Sequence, residues 1–272
     1  MSVREVIAGT PGPPVTADGL AEDLAALGVR RGSVLLAHVS LSALGWVCGG
    51  PVAVLEALGR VLGPDGTLVM PAFSGDLSDP ATWVSPAMPP EWWPTIQAAM
   101  PPYDPDTTPT WGMGTVAELF RRWPGAVRSR HPQLSFAAHG PRADEIVADH
   151  TLDDAFGEGT PLARLYDLDA RVLLLGVGHE RNSSLHLAEQ RASWPSKRRI
   201  IEGGPILRGG RRIWATWGDL DYRIDDFPTL GQAFEQWTGM VAVGPAGYGT
   251  ARLMRQRDLV DFAVGWMAAN RV

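Results

Sequence analysis

The order strand, helix, strand constrains this chain most. "SVLLAHV" (33–39) reads as a buried strand, and "PVAVLEALGRVLG" (51–63) reads as a helix with Pro51 at its first position, where a missing amide hydrogen is harmless. "GTLVMPAF" (66–73) is a second strand. Such a βαβ unit joins parallel strands and places a helix over them, so the expected class is α/β, a central mixed sheet flanked by helices. "QLSFAA" (133–138) and "ARVLLLGV" (170–177) supply further strands. Leu20, Leu24 and Leu27 keep helical spacing ahead of Gly28, as do Val116, Leu119, Phe120 and Trp123. "RADEIVAD" (142–149) is a short helix candidate, and a last helix is expected over 251–269, with Leu253, Leu259, Phe262 and Trp266 inward. Gly209 and Gly210 between two apolar segments predict a hairpin. Residues 1–15, rich in proline and glycine, read as an irregular arm. With no repeat or linker, residues 1–272 are expected to form a single domain.

Composition narrows the class of function. Hydrophobic content of 45% with 20% charged residues is that of a folded protein, and no stretch reaches the roughly 18 apolar residues of a membrane span. "MSVREVIAGTPGPPV" carries Glu5 and no apolar block, which is not a secretory signal, so a cytoplasmic protein is expected. Cys48, the single cysteine, excludes an internal disulfide or a multi-cysteine zinc site and is expected to pack. A net charge of −6 disfavours nucleic acid and suits a cationic partner.

Three glycine-bearing turns are the candidate ligand contacts. "HVSLSALGWVCGG" (38–50) sets Ser40, Leu41, Ser42 and Gly45 between a strand end and a helix start. Backbone amides there can hold an anion, although the same pattern also makes a plain strand-to-helix turn. "TWGMGTV" brings Thr110, Gly112, Met113, Gly114, Thr115 and Val116 to another helix start, after a proline-rich segment (74–114) with one possible short helix near 91–99. Neither GxxxxGK[ST] nor GxGxxG is present, and the G-x-S-x-G elbow of serine hydrolases is absent.

The third turn, "GVGHERNSSLHLAE" (176–189), carries the sharpest candidate. Asn182, Ser183 and Ser184 can cap a helix whose first turn holds His186, with Glu189 three residues on and beside it. The positive end of a helix favours a neutral imidazole, the form that accepts a proton. A histidine after a capped turn is equally able to serve packing alone. His179, Glu180, His186 and Glu189 lie close in sequence, but without an HExxH pattern no metal is expected. Asp219, Asp221, Asp225 and Asp226 surround Tyr222 and Phe227, either as a solvated loop or as a receptor for a polycation.

These stretches together resemble the aminoglycoside 3-N-acetyltransferase family. The resemblance runs from about residue 16 to 268, through "LLAHVSLSALGWVCGG", "GTLVMPAFSGDLSDPATW", "RSRHPQLSFAAHG", "FGEGTPLARLYDL" and, most specifically, "LLLGVGHERNSSLHLAEQRA". It implies a fold distinct from the GNAT acetyltransferases, acetyl-CoA as donor, and the 3-amino group of a 2-deoxystreptamine aminoglycoside as acceptor. The matching histidine, His186, would be the general base in a direct transfer, with Glu189 or another carboxylate as its partner. The turns at 38–50 and 110–116 would line coenzyme A, with donors near Ser40 and Ser42 for the developing oxyanion. Asp76, Glu189, Asp225 and Asp226 would draw the acceptor's ammonium groups. The chain departs from the family pattern at Glu180, Arg181, Trp111 and Arg223. A monomer or homodimer is expected. An acyltransferase acting on a biosynthetic amine, or a module that binds aminoglycosides without turnover, are the alternative readings.

Overall fold

The structure, a computed structural model, describes residues 2–272. A capping box opens it: Ser2 Oγ accepts from Glu5 N and Glu5 Oε2 accepts from Ser2 N, which fixes helix α1 (Val3–Ala8). The expected irregular arm is therefore partly helical. Helix α2 (Ala17–Leu27) starts at Thr16, whose hydroxyl takes Gly19 N, and stops at Gly28 in the left-handed conformation. Strand β1 (Val34–Val39), helix α3 (Gly50–Leu62) and strand β2 (Thr67–Pro71) form the predicted βαβ unit. The proline-rich segment holds α4 (Trp93–Ala99) and leads to α5 (Gly114–Phe120).

The chain then returns through β3 (Val127–Arg128), β4 (Phe136–His139), α6 (Ala143–Val147) and α7 (Pro161–Asp167). Strand β5 (Arg171–Leu175) leads into α8 (Ser184–Arg191). The predicted hairpin is β6 (Arg199–Arg208) and β7 (Arg211–Leu220), turning at Gly209 and Gly210 with φ of 57° and 73°. Helix α9 (Phe227–Thr238), β8 (Ala242–Ala246), β9 (Gly249–Arg255) and α10 (Gln256–Asn270) follow. Residues 251–255, expected to be helical, pair antiparallel with all of β5, so the last helix starts at Gln256.

Seven strands make one mixed sheet in the order β3-β4-β2-β1-β5-β9-β8, with β1 parallel to both β2 and β5. Side chains alternate across it. Leu36, Val172 and Leu174 pack under α7, α8, α9 and α10, whereas Leu35, Ala37, Leu173 and Leu175 pack under α2, α3 and α5. Both cores share this sheet, and the turns after β1 and β5 open at the same end because the two strands are parallel. Cys48 is exposed and not packed as expected. No helix of the described residues is long and apolar enough to cross a membrane.

Candidate active site

The turn after β5 delivers His186. Asn182 Oδ1 accepts from Ser184 N (3.2 Å), so Asn182 caps the turn, and His186 falls in the first turn of α8. The 2.7 Å contact between His186 Nδ1 and Glu189 Oε2 matches the i,i+3 spacing. The ring lies flat against Phe156, with centroids 4.4 Å apart and planes at 6°, and meets Tyr222 and Phe227 at 5.0 and 5.1 Å.

Glu189 is fully buried, and its other oxygen, Oε1, accepts from Arg271 Nη1 (2.7 Å) and from the backbone N–H of Arg223 (2.8 Å). Arg271 is itself buried and also donates to both oxygens of Asp226, at 2.7 Å each. Oε1 takes both of these donors and Oε2 faces the ring, so Glu189 is the acceptor and the network assigns the His186 proton to Nδ1. Nε2 then carries the lone pair, and it has no protein partner among the described residues.

His186 lines a cleft of about 920 Å³. Ser40, Leu41, Ser42 and Gly45 form one wall, and Gly112, Met113, Gly114 and Thr115 another. Gly112 and Gly114 have φ of +70° and +81°, a conformation that keeps these turns free of side chains. Thr110 and Val116, expected at the same ligand, do not line it. Thr110 gives its N–H and hydroxyl to Glu118 Oε2, both at 2.8 Å, and Val116 is buried in the core. Burial opposes ionisation of Glu118, yet the donors from Arg121 and Thr110 prevail and hold its pKa at about 2. Thr110 thus fixes the turn from behind.

The expected acceptor carboxylates do not converge on the cleft. Asp226 and Glu189 are turned to Arg271, so the reading of their side chains as free acceptor contacts is revised. Asp225 is exposed, 3.8 Å from Arg223 Nη2. Asp76 is half-buried, its Oδ1 has no hydrogen-bond partner among the described residues, and burial pushes its pKa up. His179 and Glu180 do not join the His186–Glu189 pair: His179 Nε2 meets Glu235 (3.0 Å) and Glu180 takes Gly178 N (3.0 Å).

Several site residues were missed. Val3 and Val6 of α1 line the cleft, as does His38 at the end of β1. Phe156 and Arg271 order the base from segments far away in sequence. Only His38 carried a local signal, a lone polar residue in an apolar strand.

This arrangement, an oriented imidazole at a cleft between two glycine-bearing turns, can deprotonate a bound amine. The family model for aminoglycoside 3-N-acetyltransferases matches residues 36–268. The chain belongs to that family, which is one of acyltransferases. It is 43% identical to the SPbeta prophage-derived aminoglycoside N(3')-acetyltransferase-like protein YokD of Bacillus subtilis, covering 94% of each chain. It is 40% identical to aminoglycoside N(3)-acetyltransferase VII of Streptomyces paromomycinus, over 93% of this chain and 92% of that protein. The crystal structure of YokD superposes with a TM-score of 0.95 at 41% identity, covering 98% of each chain. AAC-IIIb solved with CoASH gives a TM-score of 0.83 at 31% identity, over 94% and 97% of the two chains. AAC-VIa bound to sisomicin gives 0.85 at 33%, over 94% and 98%.

Proposed function

We propose that this protein transfers an acetyl group from acetyl-CoA to the 3-amino group of a 2-deoxystreptamine aminoglycoside, a reaction that confers resistance, with His186 as general base. The observation that carries this reading is the pinning of His186 Nδ1 by Glu189, which leaves Nε2 as the proton acceptor at the cleft. The structures of AAC-IIIb with CoASH and AAC-VIa with sisomicin, from the same family, support the choice of donor and acceptor.

The residues present fit the donor. A cleft of about 920 Å³ is of the size that takes a cofactor, and at Gly112, on one of its two glycine-bearing turns, no atom lies within 4 Å of where a side chain would start. Ser40, Leu41, Ser42, Gly45 and the stretch from Gly112 to Thr115 would hold it. When bound, acetyl-CoA supplies an acetyl group activated as a thioester. His186 Nε2 takes the proton of the attacking amine, and Glu189 stabilises the imidazolium so formed. The amine's attack forms the new C–N bond and expels the thiolate with the C–S electron pair. Asp225, exposed on the loop that also brings Tyr222 and Ile224 to the cleft, is the carboxylate of that loop open to an ammonium group of the acceptor.

Thiol release from acetyl-CoA, followed across a panel of aminoglycosides with the product's acetylated nitrogen located by NMR, tests the proposal. Release with a 3-N-acetylated product is expected. No release with any 2-deoxystreptamine compound would overturn it.

A further inference from the structure

His38 is a histidine in an otherwise apolar strand. Alternation along β1 turns it to the same face as Leu36, the face that carries α8 and His186. His38 lines the same cleft as His186. It is only 5% exposed, and its Nε2 is shielded from solvent without a hydrogen-bond partner among the described residues. Buried polar atoms nearly always have a partner, and one without calls for a reason, of which a catalytic role is one. Burial, and then the proximity of His186 and His179, pushes the His38 pKa down to about 3. The ring is therefore neutral, with one N–H to give.

What could accept that N–H follows from the chemistry. The entering amine brings donors of its own, and His186 is already placed to take its proton. The acceptor that gains negative charge during transfer is the acetyl carbonyl oxygen, and a preorganised neutral donor in a dry site stabilises such charge without reorganisation. We propose that His38 is a second catalytic residue, donating its Nε2–H to the acetyl carbonyl oxygen as the amine attacks while His186 serves as base.

This inference rests on the proposed acetyl transfer, and its test separates the two. Thiol release by the wild-type enzyme with an aminoglycoside tests the transfer itself. For His38, the histidine ring nitrogens of ¹⁵N-labelled wild-type protein are observed by NMR during titration with acetyl-CoA and, separately, with CoA. The His38 Nε2 resonance, assigned from its absence in H38Q, is expected to move with acetyl-CoA and to stay in place with CoA. In kinetics, H38F is expected to lose about 10²-fold in kcat with little change in the KM for acetyl-CoA. H38Q, which keeps an N–H near the same position, is expected to recover part of that loss. A wild-type protein that releases thiol but shows no acetyl-dependent shift at His38 would overturn the assignment. So would a folded H38F with unchanged kcat.

Discussion

The imidazole of His186 lies face to face with Phe156, their centroids 4.4 Å apart and their planes 6° from parallel. Phe227 tilts against the ring at 5.1 Å, and Nδ1 is held by Glu189 at 2.7 Å. The ring thus has one orientation, set before any ligand arrives. A base held this way loses no freedom on reaching the transition state.

Replacing His186 by alanine should leave the fold and both ligand affinities largely intact. The loss should fall on kcat, by about 10² to 10⁴, the usual worth of general-base assistance. The variant should recover part of the loss at high pH, where more of the amine is already neutral and needs no base. A folded variant with near-wild-type kcat would return His186 to a packing role.

Arg271 should matter as much as the base does. Both it and Glu189 are buried, so Arg271→Met leaves a carboxylate without its counter-ion. Breaking such a pair costs about 3–5 kcal/mol, to be read from urea denaturation. Adding Glu189→Gln to the variant should restore part of that stability but not the activity. An Arg271→Met protein as stable as the wild type would show that the pair contributes nothing.

The two loop aspartates should behave differently. Asp226 takes two hydrogen bonds from Arg271, whereas Asp225 is exposed. Asp226→Asn is expected to lower the melting temperature. Asp225→Asn should leave stability within about 0.5 kcal/mol and raise the aminoglycoside KM up to about fivefold, the range of an exposed charge contact. Equal effects of the two changes on stability would contradict this division.

Acid should destabilise the fold through buried histidines. His150 Nε2 donates to Ala155 O (2.8 Å), its Nδ1 accepts from Ser129 Oγ (2.9 Å), and its neighbour His131 is fully buried. Burial lowers both pKa values, that of His150 to about 4 and that of His131 well below its ordinary 6.5. Below pH 6.5 the unfolded chain takes up protons that the folded chain refuses, so stability falls. For His150 the loss grows until the pH reaches about 4. Urea midpoints at pH 7 and pH 5 measure the drop, and His150→Gln should reduce it. An undiminished drop in the variant would remove His150 as a cause.

Helix α1 should act on the donor side. Val3 and Val6 line the cleft near the turn at Ser40, to which the arm is tied by Trp46 N donating to Thr10 Oγ1 (2.8 Å). A Val6→Asp change removes apolar contact worth about 1.4 kcal/mol and should raise the acetyl-CoA KM about tenfold. The aminoglycoside KM should stay put. If it rises in parallel, α1 borders the acceptor instead.

How much of this was legible depends on how local each cause is. The βαβ unit, the hairpin at Gly209 and Gly210, and the His186–Glu189 pair were readable because each rests on spacing within one element. Helix α1 had a signal too, the Ser2-to-Glu5 spacing of a capping box, masked by the prolines that follow. Strand β9 was misread because its apolar Leu253 was counted with Leu259 and Phe262 of the helix that follows, and only pairing with β5 makes it a strand. The fates of Asp226 and Glu189 were not readable at all. Arg271 decides them, and nothing near either acid announces it.

Glu189 and Arg271 lie 82 positions apart in the chain. A ribosome therefore releases the carboxylate long before the cation that neutralises it. Until α10 has emerged and residue 271 after it, α8 can settle on the sheet only by burying an uncompensated charge, which disfavours that step. A nascent chain halted anywhere before residue 271 carries His186 and Glu189 without the cation that pairs with the Glu189 carboxylate. Arg271 thereby ties the settled state of the base's carboxylate to a residue made 82 positions later.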